Sequence, residues 1–111
     1  MYERLITILR IALACHVTDI HFSLLEGREE SVIIEMRLKG EVRRVRSQPD
    51  DDKLFRYIMY RANLDLANVF EPQTGSFTET VEGKQLSLRF ALVCSYRMKS
   101  GVLRKIGRAH V

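Results

Sequence analysis

Arg89 is the residue with the clearest chemical question attached. It stands alone in the middle of a stretch, Lys84 to Val93, where Leu86, Leu88, Phe90 and Leu92 alternate with Ser87, Arg89 and Ala91. Alternation of this kind marks a strand with one buried face. A guanidinium there lies in water, pairs with a carboxylate, or reaches for an anion outside the chain. Asp19 and His21 share a strand face at a spacing of two. They could begin a metal site, but two ligands do not make one, and a polar pair on an exposed or interface face is the simpler reading. Gly83-Lys84-Gln85 lacks the upstream glycine and the hydroxyl of a phosphate-binding loop. No elbow motif supports a Ser/His/Asp or Cys/His nucleophile. Cys15 and Cys94 sit in no metal-like or redox spacing, which suggests buried reduced thiols. No residue is assigned as catalytic or as a metal ligand, and function has to be argued from context.

The elements that would position these groups follow from periodicity. Tyr2 to Cys15 repeats Leu5, Ile8, Leu9, Ala12 and Cys15 at helical spacing. His16 is placed to interact with the last carbonyls of that helix. Ile20, Phe22 and Leu24 alternate with Asp19, His21 and Ser23, giving a first strand. Val32 to Lys39 gives a second, Lys39-Gly40-Glu41 a tight turn, and Val42 to Arg46 a third, so these strands form an antiparallel meander. Gln48-Pro49-Asp50-Asp51-Asp52 reads as a helix start, with an aspartate as cap and acidic charge on the helix dipole. A second helix runs from Lys53 to Ala62 and ends at Asn63. Ser76 to Val81 and Lys84 to Val93 form a hairpin across Glu82-Gly83, and a short strand near Val102 to Arg104 closes the sheet. The expectation is an α+β fold: an antiparallel sheet of about six strands with two main helices, in the order α-β-β-β-α-β-β-β.

A chain of 111 residues holds one core. No apolar run approaches the roughly 20 residues of a membrane span, and no signal-peptide pattern opens the chain. The net charge of +4 is concentrated in two bunches, Arg37, Lys39, Arg43, Arg44, Arg46 and Arg97, Lys99, Arg104, Lys105, Arg108. Such bunches can mark a nucleic-acid face, but no aromatic platform, helix-turn-helix or zinc spacing accompanies them. Residues 106–111, Ile-Gly-Arg-Ala-His-Val, look like the translation of a sequencing adapter and are expected to be a non-native tail. Without Arg108 the charge falls from +4 to +3, and the natural protein is expected to continue past Lys105.

Several segments, taken in order, resemble one family. Thr18-Asp19-Ile20-His21 is similar to an Ala-Ser-Asp-Ile-His segment after an N-terminal helix. Met36 to Arg43 is similar to an Arg-x-Asp-Gly hairpin. Leu64-Asp65-Leu66-Ala67 followed by Pro72-Gln73-x-Gly75 resembles the most diagnostic block. Leu86-Ser87-Leu88-Arg89 resembles a Val-Asp-Leu-Arg strand, and Val102-Leu103-Arg104 the strand that ends the domain. The family is the type II secretion and type IV pilus assembly ATPases, or traffic ATPases, and the start of the chain is similar to the competence branch that drives DNA uptake.

The resemblance implies that residues 1–105 are a PAS-like, N-terminal regulatory domain, lacking the RecA-like ATPase domain that would follow. It implies ATP and magnesium as cofactors of the full-length parent, with none held by this fragment alone. It implies a homohexamer in which this domain packs on its own and neighbouring ATPase domains, and a membrane platform protein as partner. DNA is not expected to bind it directly, and the location is cytoplasmic, at the inner face of the cell membrane. Arg89 and Arg37 would contact nucleotide, while Asp19, His21, Gln73 and Gly75 would serve domain interfaces. Departures are Ser76 after Pro-Gln-x-Gly, where the family often has arginine, Lys39 in place of the hairpin aspartate, and Asn68-Val69-Phe70-Glu71 in place of a basic segment. Rival readings are a free-standing PAS-like sensor or adaptor and a basic nucleic-acid-binding module.

Overall fold

A computed structural model describes residues 1–68 and 70–106; Val69 and residues 107–111 of the expected tail lie outside the described residues. Helix α1 spans Tyr2–Ala14 and buries Leu5, Ile8, Leu9 and Ala12. It ends because His16 turns left-handed (φ 59°). The His16 and Val17 amides then donate to the Leu13 and Ala12 carbonyls at 3.2 and 2.8 Å, which is a Schellman stop. The expected contribution of His16 to the helix end is thus made by its backbone. Helix α2, Asp51–Arg61, ends the same way. Asn63 has φ 61°, and the Asn63 and Leu64 amides return to the Tyr60 and Met59 carbonyls.

The start of α2 differs from its expected form. The helix begins at Asp51, and Asp50 at the cap position makes no side-chain cap bond. Asp51 instead turns back and accepts the Gln48 amide at 2.9 Å. Its carboxylate also receives Arg4 Nε at 3.0 Å and Nη2 at 3.1 Å. The pair ties α1 to α2, and Asp51 is only 3% exposed.

Six strands follow the expected order: β1 Asp19–Leu25, β2 Ser31–Leu38, β3 Glu41–Val45, β4 Gln73–Val81, β5 Lys84–Ser95 and β6 Met98–Lys105. They form one antiparallel sheet ordered β3-β2-β1-β6-β5-β4. Strand β6 therefore joins the first meander to the second hairpin. Glu82 and Gly83 both have positive φ, 51° and 79°, the geometry of a two-residue hairpin that follows the sheet twist.

Strand β6 is eight residues long, against the three expected. Its helix-facing positions are Lys99, Gly101, Leu103 and Lys105, so only one large apolar side chain signals the alternation. Gly101 lies against the Phe90 ring, and a Cβ there would enter it. That ring meets Phe22 and Phe55 edge-to-face, the three centroids 5.7–6.5 Å apart, a geometry that aromatic quadrupoles favour. Both helices lie on this face, over Ile20, Phe22, Leu24, Val32, Ile34, Met36, Leu86, Leu88, Phe90, Leu92 and Leu103. The expectation of buried thiols is corrected: Cys15 is exposed, because it caps α1 beyond the apolar stripe, and Cys94 is half-buried. No helix among the described residues is long and apolar enough to cross a membrane.

Candidate functional site: an arginine row on the open sheet face

Strand periodicity sends every second side chain away from the helices. The register then determines which of them meet. Val42 pairs with Arg37, Arg37 with Asp19, Asp19 with Arg104, Arg104 with Arg89, and Arg89 with Ser76. One transverse row thus crosses all six strands and carries three arginines and one aspartate. The neighbouring row carries Arg44, Glu35, His21, Val102, Ala91 and Thr74. A shallow groove of about 310 Å³ runs over the centre, lined by Asp19, His21, Arg37, Arg89, Ala91, Val102 and Arg104.

Charges in this groove are only partly balanced. Arg104 donates Nε and Nη2 to the two Asp19 oxygens at 2.9 and 3.2 Å. That hydrogen bond raises the Arg104 pKa further. Among the described residues, Arg37 and Arg89 have no carboxylate ion-pair partner. Three guanidinium groups face one carboxylate, leaving about two positive charges over the groove. His21 is held below its ordinary pKa, first by burial and then by the Arg37 charge. It is therefore neutral near pH 7, able to donate or accept one hydrogen bond. Guanidinium forks match the planar and tetrahedral oxygens of carboxylate and phosphate, so the groove is suited to an anion.

Four of the sequence candidates, Asp19, His21, Arg37 and Arg89, come together here. Two others do not. Gln73 receives the Asp65 amide on its Oε1 at 2.7 Å and donates Nε2 to the Asp65 and Asn68 carbonyls at 2.9 and 3.3 Å. Gly75 lies beneath the Ala62 carbonyl with no room for a Cβ. Both hold the α2–β4 connection within the chain, at the β4 edge and outside the groove. Close by, Arg61 bonds Glu79 at 2.6 Å and the Thr78 carbonyl at 2.7 Å, which occupies a backbone acceptor of that edge strand.

Arg104 is the groove residue that sequence reasoning missed as a site. Its signal was alternation with Val102 on a strand too weakly patterned to be placed beside β1. The two basic bunches are divided among different parts of the surface. Lys99 is held by Glu26 at 2.6 Å and Arg97 stacks over Tyr96, while Arg43, Arg44 and Arg46 line a different hollow. Among the described residues no group of three or more His, Cys, Asp or Glu side chains gathers as a metal site. No protein-family model matches the chain, and no curated protein does either.

Proposed function

We propose that this chain is the N-terminal, PAS-like domain of a hexameric secretion or pilus-assembly ATPase of the competence type, working at the cytoplasmic face of the membrane. In that setting the open sheet face turns toward an ATPase domain and lends cations to bound nucleotide. The observation that carries this reading is the unbalanced arginine row: Arg37 and Arg89 are exposed and lack carboxylates among the described residues, on the face opposite the helices. Like charges directly opposite on adjacent strands, as Arg104 and Arg89 are, cost stability. An external anion offsets that cost. The ordered resemblance of the Asp19-Ile20-His21, Pro72-Gln73-x-Gly75 and Leu88-Arg89 segments to traffic ATPases supplies the kind of anion, the phosphates of ATP with its magnesium.

On this reading the RecA-like domain of the parent protein binds the nucleotide and performs hydrolysis. Arg89, and across the groove Arg37, sense phosphate and stabilise charge that develops on transfer. Partners are the parent's own ATPase domain, neighbouring subunits and a membrane platform protein. The test is Arg89→Ala in the full-length parent. Turnover of ATP should fall by at least tenfold while the far-UV circular dichroism of this domain stays unchanged and its melting temperature does not fall. Unchanged turnover rejects the phosphate role.

A further inference from the structure

The two helices do not cover the whole sheet. On α1, Ile11 and Cys15 stand outside the buried stripe and remain exposed. At the β3 edge, Met36, Leu38 and Val45 face the helix side. An open groove of about 320 Å³ lies between them, walled by Ile11, Cys15, Val17, Met36, Leu38 and Val45. Its remaining lining is Arg4, Arg43, Arg44, Arg46 and Gln48, with no carboxylate. Arg4 is engaged by Asp51, Arg44 belongs to the open-face row, where it lies 3.7 Å from the half-buried Glu35, and Arg43 has one loose, exposed partner, Glu41 at 3.8 Å. Among the described residues Arg46 has no carboxylate ion-pair partner.

From this we infer that the α1–β3 groove is a docking site for an acidic amphipathic segment of a partner protein. The apolar wall takes one stripe of large side chains, and the arginine bank takes carboxylates beside that stripe. The spread of charge selects a polypeptide over a single-headed amphiphile. Arg43 on β3 and Arg46, one residue past the end of that strand, are separated by roughly 10 Å of extended chain. Side chains two helical turns apart, about 11 Å, can present two carboxylates across that span, whereas a lipid headgroup presents one anionic centre. This surface lies on the opposite side of the sheet from the arginine row, so its occupancy is independent of the nucleotide reading.

Cys15, at the end of α1, supplies a reporter within the groove, and Cys94, on β5, a reference outside it. The probe is a 16-residue peptide of leucines at helical spacing flanked by glutamates, tested with a lysine-for-glutamate version and with phosphatidylglycerol vesicles. The Glu/Leu peptide should slow iodoacetamide alkylation of Cys15 at least fivefold and leave Cys94 unchanged. In Arg43→Glu/Arg46→Glu the concentration needed should rise at least tenfold, while Arg43→Lys/Arg46→Lys retains protection. Should the glutamate variant lose its fold by circular dichroism, Arg43→Gln/Arg46→Gln carries the same comparison with a smaller loss. Equal protection by the lysine peptide, protection by vesicles and not by peptide, equal slowing of both cysteines, protection that grows with protein concentration alone, or no protection at millimolar peptide would each overturn the proposal.

Discussion

Replacing Asp51 by alanine tests whether the two helices are locked together by one ion pair. The carboxylate accepts three hydrogen bonds, two from Arg4 and one from the Gln48 amide. Asp51 is 3% exposed and the Arg4 side chain 14%. Removing one partner of a buried pair costs about 3–5 kcal/mol, since the other charge is left without compensation. Arg4 keeps a bond to the Arg46 carbonyl at 2.8 Å and retains some access to water, so the lower part of that range applies. A loss of about 3 kcal/mol is a large fraction of the 5–15 kcal/mol that holds a typical domain together, and lowers the melting temperature by on the order of 15 °C. Urea titration followed by far-UV circular dichroism measures it. Arg4→Met/Asp51→Ala should recover much of the loss, with a coupling of roughly 2 kcal/mol in the double-mutant cycle. Strictly additive single losses, or an Asp51→Ala cost under about 1 kcal/mol, would refute the reasoning.

Two further outcomes can be measured on the same protein. Gly75→Ala should destabilise by on the order of 1–3 kcal/mol, because a Cβ meets the Ala62 carbonyl. Gly27→Ala, where a Cβ meets nothing within 4 Å, should stay within about 0.5 kcal/mol, and equal losses would remove the close-approach argument. His21 should titrate below its ordinary value in an NMR pH series, and Arg37→Gln should move it upward, since Arg37 is the second cause of the lowering after burial. Between the lowered native value and roughly 6.5 the unfolded chain binds more protons, so stability rises with pH through that window. His21→Gln should flatten the slope, and an unchanged slope would show that His21 does not set it.

Much of the fold was legible because its strands alternate strongly. Ile20-Phe22-Leu24 and Leu86-Leu88-Phe90-Leu92 declare their inner faces, and the order of helices and strands followed. Asn63 marked the end of α2 through its tolerance of left-handed backbone. The losses have physical causes. Inner positions on β6 are two lysines, a glycine and one leucine, so the strand's length was hidden and its place between β1 and β5 could not be argued. Gly101 is small for the sake of Phe90, a contact between residues far apart in the chain. Asp51 was read as part of a local cap, yet its main partner is Arg4, 47 residues away. The candidate site was half visible. Asp19 and His21 stood out as a pair, and Arg89 and Arg37 separately from it, but only the register shows that all four share two adjacent rows and that Arg104 stands among them.

The row also constrains where an anion can sit. On a face serving only solubility, register should set opposite signs across neighbouring strands. The β2–β3 pair does so with Glu35 and Arg44, and the β1–β2 pair with Asp19 and Arg37. The β5–β6 pair does not, because Arg104 and Arg89 face each other. Asp19 relieves this by drawing the Arg104 guanidinium toward β1 through two hydrogen bonds. The same carboxylate repels any anion that settles over β1. The positive potential is therefore greatest away from Asp19, over β5 and the β5–β6 seam, where Arg89 has Ser76 as its other neighbour. An anion that enters there meets Arg89 first and can then draw on Arg104, while Arg37 lies beyond Asp19 on the far side. Of the row's three cations, Arg89 is thus the one whose removal should most weaken capture of a compact phosphate.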